Sequence, residues 1–231
     1  ATHLFAIARR AVPKDAPGLR KFLKVPIMSV DTHAATDRLM RFLRVEGVTG
    51  KEAAIGRELS AALQEGGVPA SAIRLDDANT RIPVPTETGN LIVDLPGRGT
   101  MHNQPRIMFM THMDTVPLCA GAKPKLKGRK IVNEAKTALG GDNRAGCGVL
   151  VTLAAELAKQ QLDHPPITLL FCVREESGLW GARHVKTDAG DIEFRLMGRS
   201  DEAAVLSFAQ RLPTHDLLFL PRNISQPKVL S

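Results

Sequence analysis

Aromatic residues are scarce in this sequence, with no tyrosine and one tryptophan. Nowhere do arginines interleave with aromatics, and no nucleic-acid motif is present, so no nucleic-acid partner is expected. Cysteine is also rare: Cys119, Cys147 and Cys172 are odd in number and far apart. They lack the paired spacing of a zinc ribbon or a redox motif and fit a reducing, cytoplasmic setting. No segment approaches a membrane span, so no membrane partner is expected. The apolar run at residues 4–8 is too short for the core of a secretory signal.

What remains is ordinary globular composition, 43% hydrophobic and 24% charged over 231 residues, enough for one α/β domain with a substantial core. The net charge is +7, and it is unevenly placed. Residues 1–30 form a basic arm with six Lys or Arg against the single acid Asp15; being arginine-containing and acid-poor, it can also be read as a transit peptide. Residues 31–187 carry the patterned sequence, and 188–231 form a tail without sustained periodicity.

Helical spacing is present over 36–43, and the Thr49 to Glu52 spacing predicts a capping box for a second helix ending at Gly66-Gly67. Strands are expected at 72–75, 91–95 and 107–110, each flanked by turn residues. From 145 to 158 a stripe of Val149, Leu150, Leu153, Ala154 and Leu157 predicts a helix on a sheet. The nearly continuous apolar run 167–173 reads as a buried parallel strand. Strand, helix, strand is an α/β pattern, and a crossover would bring both strand ends to the edge where such sheets bind ligands.

Three chemical features fall at that edge. His112 and Asp114 follow the first strand, and a nearby carboxylate can orient an imidazole; taken alone, a locally satisfied loop pair is the plainer reading. Gly140-Gly141-Asp142-Asn143-Arg144-Ala145-Gly146 opens the helix, where an Asp or Asn N-cap is the plain reading. A phosphate cradle is a poor fit, because no Lys-Ser/Thr pair follows. Glu175 and Glu176 close the second strand. Neighbouring strand residues point oppositely, so one of them needs a partner, such as a metal, unless the strand has already ended and both are solvated.

Together these residues supply the histidine and carboxylate donors that suit zinc or cobalt. Their order, His-x-Asp after a strand, Gly-x-Asp-x-x-Ala-Gly before a helix and Glu-Glu after the next strand, resembles the dizinc peptidases that include peptidase T, carboxypeptidase G and acetylornithine deacetylase. The fuller runs 111–117, 139–146 and 175–184 resemble the peptidase T branch most, and the resemblance spans roughly 36–185.

The resemblance implies a three-layer αβα catalytic domain with a mostly parallel mixed sheet. It implies zinc, two ions per complete site, with cobalt or manganese as alternatives. By it His112, Asp142 and Glu176 are metal ligands, Asp114 orients His112, and Glu175 is the general base that activates a water against a short peptide. A cis peptide at Asp142–Asn143 is also implied. Two further family ligands have no counterpart in setting: Asp188, Asp191, Asp201 and His215 are only chemical stand-ins. The family's lid or dimerisation domain is not found in the sequence, so the catalytic domain is expected to be incomplete and C-terminally truncated. The family-type homodimer is then not expected, and the 167–173 strand is expected to show an unpaired edge. A non-catalytic relative or interaction module, or a deacylase or carboxypeptidase of the same family, are the alternative functions.

Overall fold

The computed structural model describes residues 30–186, which fall within one compact unit. All but the last residue of the basic arm lies outside the described residues. So do the tail and the four stand-ins, Asp188, Asp191, Asp201 and His215.

Two helices come first, α1 (Thr32–Arg44) and α2 (Ala53–Glu65), followed by strand β1 (Ile73–Leu75), the short helix α3 (Ala78–Arg81), β2 (Leu91–Leu95) and β3 (Ile107–His112). A hairpin of β4 (Pro124–Lys127) and β5 (Lys130–Asn133) leads into the long helix α4 (Gly141–Gln160), then β6 (Ile167–Cys172) and the short α5 (Trp180–Arg183). The capping box does not form. Helix α2 begins after Glu52, which makes no side-chain cap bond, and Thr49 instead donates its hydroxyl to Ser177. Helix α1 starts earlier than its apolar spacing suggests, because Asp31 caps it by accepting from the Ala34 amide.

The main sheet runs β1-β2-β6-β3. Strands β3 and β6 pair in parallel, with Ile107 opposite Ile167 and His112 opposite Cys172, as two strands joined through α4 should. The mixed α/β class therefore holds, while the parallel share is smaller than expected. Both β1–β2 and β2–β6 pair antiparallel, leaving one parallel pairing of the three in this sheet. The reason is β2, which runs against β6 and fills the slot beside it. The expected unpaired edge on β6 is thus absent: that strand is central, paired on both sides.

Burial follows from this placement. Every residue of β6 is buried, as a near-continuous apolar strand requires. Leu91, Val93, Leu95, Ile167, Leu169 and Phe171 share a core with Phe42 of α1, Ile55, Leu59 and Leu63 of α2, and Leu150, Val151, Ala154 and Leu157 of α4. Each of these side chains larger than alanine contributes roughly 1.5–3 kcal/mol by leaving water. Helix α4 rests on β3, with α1 and α2 packed against α4. Val149 departs from the predicted stripe and is 63% exposed, since it lies about 100° around the helix from the buried Leu150. Among the described residues no helix is long and apolar enough to cross a membrane.

Candidate metal centre

The parallel register puts the ends of β3 and β6 side by side, and the site is built there. His112, the last residue of β3, lies opposite Cys172 and is almost fully buried. Its Nε2 is 3.2 Å from Asp142 Oδ1 and 3.6 Å from Glu175 Oε2. Its Nδ1 faces Asp114, 3.1 Å from the backbone oxygen and 3.3 Å from Oδ1. One ring edge is thus held by Asp114 while the other meets the acids of two different loops.

Asp142 and Asn143 divide the two readings of the glycine turn between them. Both have non-helical backbone angles at the start of α4. The Asn143 Oδ1 accepts the Gly146 amide at 2.8 Å and so caps the regular helix, which leaves the Asp142 carboxylate to point at His112. The peptide bond between them is cis, as expected. Gly146 sits where the helix crosses β3: a Cβ there would stand 2.4 Å from Thr111 Oγ1 and 2.3 Å from Asn143 Oδ1.

Glu175 and Glu176 lie in a turn beyond β6, which ends at Cys172. Opposed strand directions therefore do not govern them, contrary to the alternation expected of a strand end. Instead Asp114 holds both. Its Oδ1 accepts the Glu175 amide at 2.9 Å and its Oδ2 accepts the Glu176 amide at 3.1 Å. Asp114 is fully buried. Burial favours its neutral form, yet the hydrogen bonds from His112 and the two amides outweigh it and hold its pKa below the ordinary carboxylate value.

The electrostatics favour a cation. His112, Asp142 and Glu176 each bring one ligand atom into a group whose members all lie within 4.8 Å of one another. Burial alone would depress the His112 pKa; the hydrogen bond to Asp114 and the charges of Asp114, Glu175 and Asp142 reverse this and raise it. Glu176 is pushed up by burial, with Asp142, Glu175 and Asp114 adding to the effect and His112 opposing it. One nitrogen and two carboxylate donors, three protein ligands in all, match the ligand count of a catalytic zinc site.

Two buried charged residues in this region were given no part in the site by the sequence. The Arg144 guanidinium is buried and donates to the backbone oxygens of Met113, of Val45 at 3.3 Å and of Gly47 at 3.5 Å. It ties the His112–Asp114 loop to the segment between α1 and α2. Glu52 is fully buried, and its Oε1 accepts the amides of Gly50 at 2.7 Å and Arg174 at 3.1 Å. The Thr49 to Glu52 spacing singled it out, though as a cap.

Comparison with known proteins finds likenesses among peptidases. The model of peptidase family M28 matches residues 90–204, a span that holds His112, Asp142, Glu175 and Glu176 and runs past residue 185, where the motif resemblance ends. Over that span the chain is similar to peptidase family M28. It is 30% identical over 147 residues to the uncharacterized protein YqjE of Bacillus subtilis, covering 64% of this chain and 38% of that protein. It is 28% identical to peptidase T of Escherichia coli over 46% of this chain and 33% of that one. Among solved structures, the aminopeptidase PepT of Bacillus cereus superposes with a TM-score of 0.61 at 30% identity, covering 68% of this chain and 40% of that chain. A tripeptidase of Staphylococcus aureus gives the same TM-score at 24% identity, covering 71% and 42%, and speaks for the fold. The chain spans between a third and two fifths of the length of the curated relatives it matches.

Proposed function

We propose that this chain carries the metal-binding portion of a zinc-dependent peptide hydrolase acting on short peptides in the manner of a tripeptide aminopeptidase. The observation that carries this reading is the convergence of His112, Asp142 and Glu176 within 4.8 Å, with Glu175 beside His112. These three residues would hold the ion, with zinc the best match to the donor set and cobalt or manganese as substitutes. A second ion would need ligands from outside the described residues. When bound, the metal supplies Lewis-acid polarisation of a carbonyl or of water.

The remaining roles belong to the chain itself. Asp114 holds Nδ1 of His112, which turns Nε2 toward the ligand group. Glu175 does not belong to the ligand group, and its carboxylate lies at the edge of it, partly open to solvent. There it takes a proton from the attacking water and returns it to the leaving amine. A reducing, cytoplasmic setting goes with this reading, supported by the free thiols of Cys119, Cys147 and Cys172.

Replacing Glu175 by Gln tests the assignment. Turnover of a tripeptide is expected to fall by about 10²–10⁴-fold, with zinc still bound as in the wild type. Unchanged metal-dependent turnover would remove Glu175 as the base, and absence of bound zinc in the folded wild-type chain would remove the metal reading altogether.

A further inference from the structure

Three successive backbone amides form the turn that presents the acid pair, and each is caught by a buried carboxyl oxygen. The Arg174 amide goes to Glu52 Oε1 at 3.1 Å, the Glu175 amide to Asp114 Oδ1 at 2.9 Å, and the Glu176 amide to Asp114 Oδ2 at 3.1 Å. Arg174 itself has φ +50°, in the left-handed region that a residue with a side chain occupies only under local constraint. Its guanidinium supplies part of that constraint by donating to Pro85 O and to Thr86 Oγ1. Glu52 supplies another part, from a position 122 residues away in sequence.

We propose that Glu52 is a positioning residue for the Glu175–Glu176 pair, its carboxyl fixing the Arg174 amide so that the turn delivers one acid to the metal and the other to the reacting water. This rests on the metal-hydrolase reading above. Helix α2 does not need the group, because Glu52 makes no cap bond to its own helix. Its other oxygen, Oε2, is buried with no hydrogen-bond partner among the described residues, a burial that costs stability and leaves Oε1 as the end that binds. The Gly50 amide, which also donates to Oε1, brings the loop before α2 against the same turn. Glu52 therefore acts on the site through Arg174, as Asp114 acts through the next two residues.

The full-length chain carrying Glu52→Met, which keeps the volume and removes the acceptor, and Glu52→Gln, which keeps an oxygen acceptor, separates this role from plain packing. Two readouts apply: hydrogen exchange of the 173–177 segment in metal-free protein, and zinc affinity by competition with a chromogenic chelator. In Glu52→Met the segment is expected to lose protection while α4 and β6 keep theirs, and zinc affinity is expected to fall by about 10–100-fold. Glu52→Gln is expected to restore both. Protection of 173–177 unchanged in Glu52→Met, wild-type zinc affinity in that variant, or a Gln variant as impaired as Met overturns the proposal. If the wild-type chain binds no zinc, the metal reading fails on its own, and the exchange result alone decides whether Glu52 holds the turn.

Discussion

Asp114 is the residue through which the histidine and the acid pair are joined, and replacing it by Asn gives the most direct test of that joint. The carboxylate serves Glu175 with one oxygen and Glu176 with the other, while Oδ1 also faces His112 Nδ1. In Asp114→Asn one oxygen remains, and the other position becomes an NH₂ that meets an amide N–H. Whichever way the carboxamide turns, one of the two backbone amides loses its acceptor. A hydrogen bond to a charged acceptor contributes about 1.5–3 kcal/mol, and an orphaned buried donor costs a comparable amount. These overlap, so the net loss should be about 2–4 kcal/mol, read as a shift in the urea unfolding midpoint with unchanged slope. The sign of the pH dependence follows from the lowered pKa of Asp114. Its contribution is fully present above the ordinary value of 3.8 and is lost as pH falls through the lower folded value. The gap between wild type and Asp114→Asn should therefore close on acidification below 3.8. A variant within about 0.5 kcal/mol of wild type at neutral pH, the range of an uninvolved surface change, would refute the joint described here.

The metal reading carries its own pH dependence. His112 has its pKa raised above the ordinary 6.5, and a protonated imidazole cannot ligate, so zinc affinity should climb with pH through a titration centred above 6.5. In the metal-free protein the same shift stabilises the fold below 6.5, and that contribution disappears as pH rises through the folded value. Chelator competition and thermal unfolding across the neutral range measure the two, and a flat affinity profile above 6.5 contradicts the role of His112. Gly146→Ala opposes two effects: helix propensity favours Ala by about 1 kcal/mol, while the added Cβ would lie 2.3 Å from Asn143 Oδ1 and 2.4 Å from Thr111 Oγ1. The clash should win, lowering stability by about 1–3 kcal/mol and weakening zinc binding through the displaced Asp142–Asn143 turn; a stabilised variant with wild-type affinity shows that the helix start adapts freely.

The sequence was most legible where local chemistry and tertiary structure agree. Strand β2 occupies 91–95 as its flanking turn residues predict, and β6 shows the two-sided burial that its unbroken apolar run implies. The grouping of His112, Asp142 and Glu176 was legible because each lies at or just beyond the end of a regular element at one sheet edge, so that three short motifs suffice to place them. Sheet direction was not legible in the same way. Helix α4 forces β3 and β6 into parallel pairing, but nothing within 91–95 says that β2 will enter beside β6 and run against it.

The unread parts of the site share a cause. Glu52 has two local explanations available, a cap or a solvated helix start, and the partner that decides between them lies 122 residues on. Arg144 sits inside a motif whose chemistry belongs to Asp142, yet its own hydrogen bonds reach back to Val45 and Gly47, about a hundred residues earlier. A charge with nearby sequence partners announces its role through spacing; a buried charge serving backbone amides or carbonyls leaves no such trace, because every residue except proline offers the same amide and every residue the same carbonyl. The candidate ligands of this site are thus set by side-chain identity and can be read from motifs. The groups that aim those ligands are set by backbone geometry, and they become visible only when the chain has brought α2, the β3 loop and the β6 turn together.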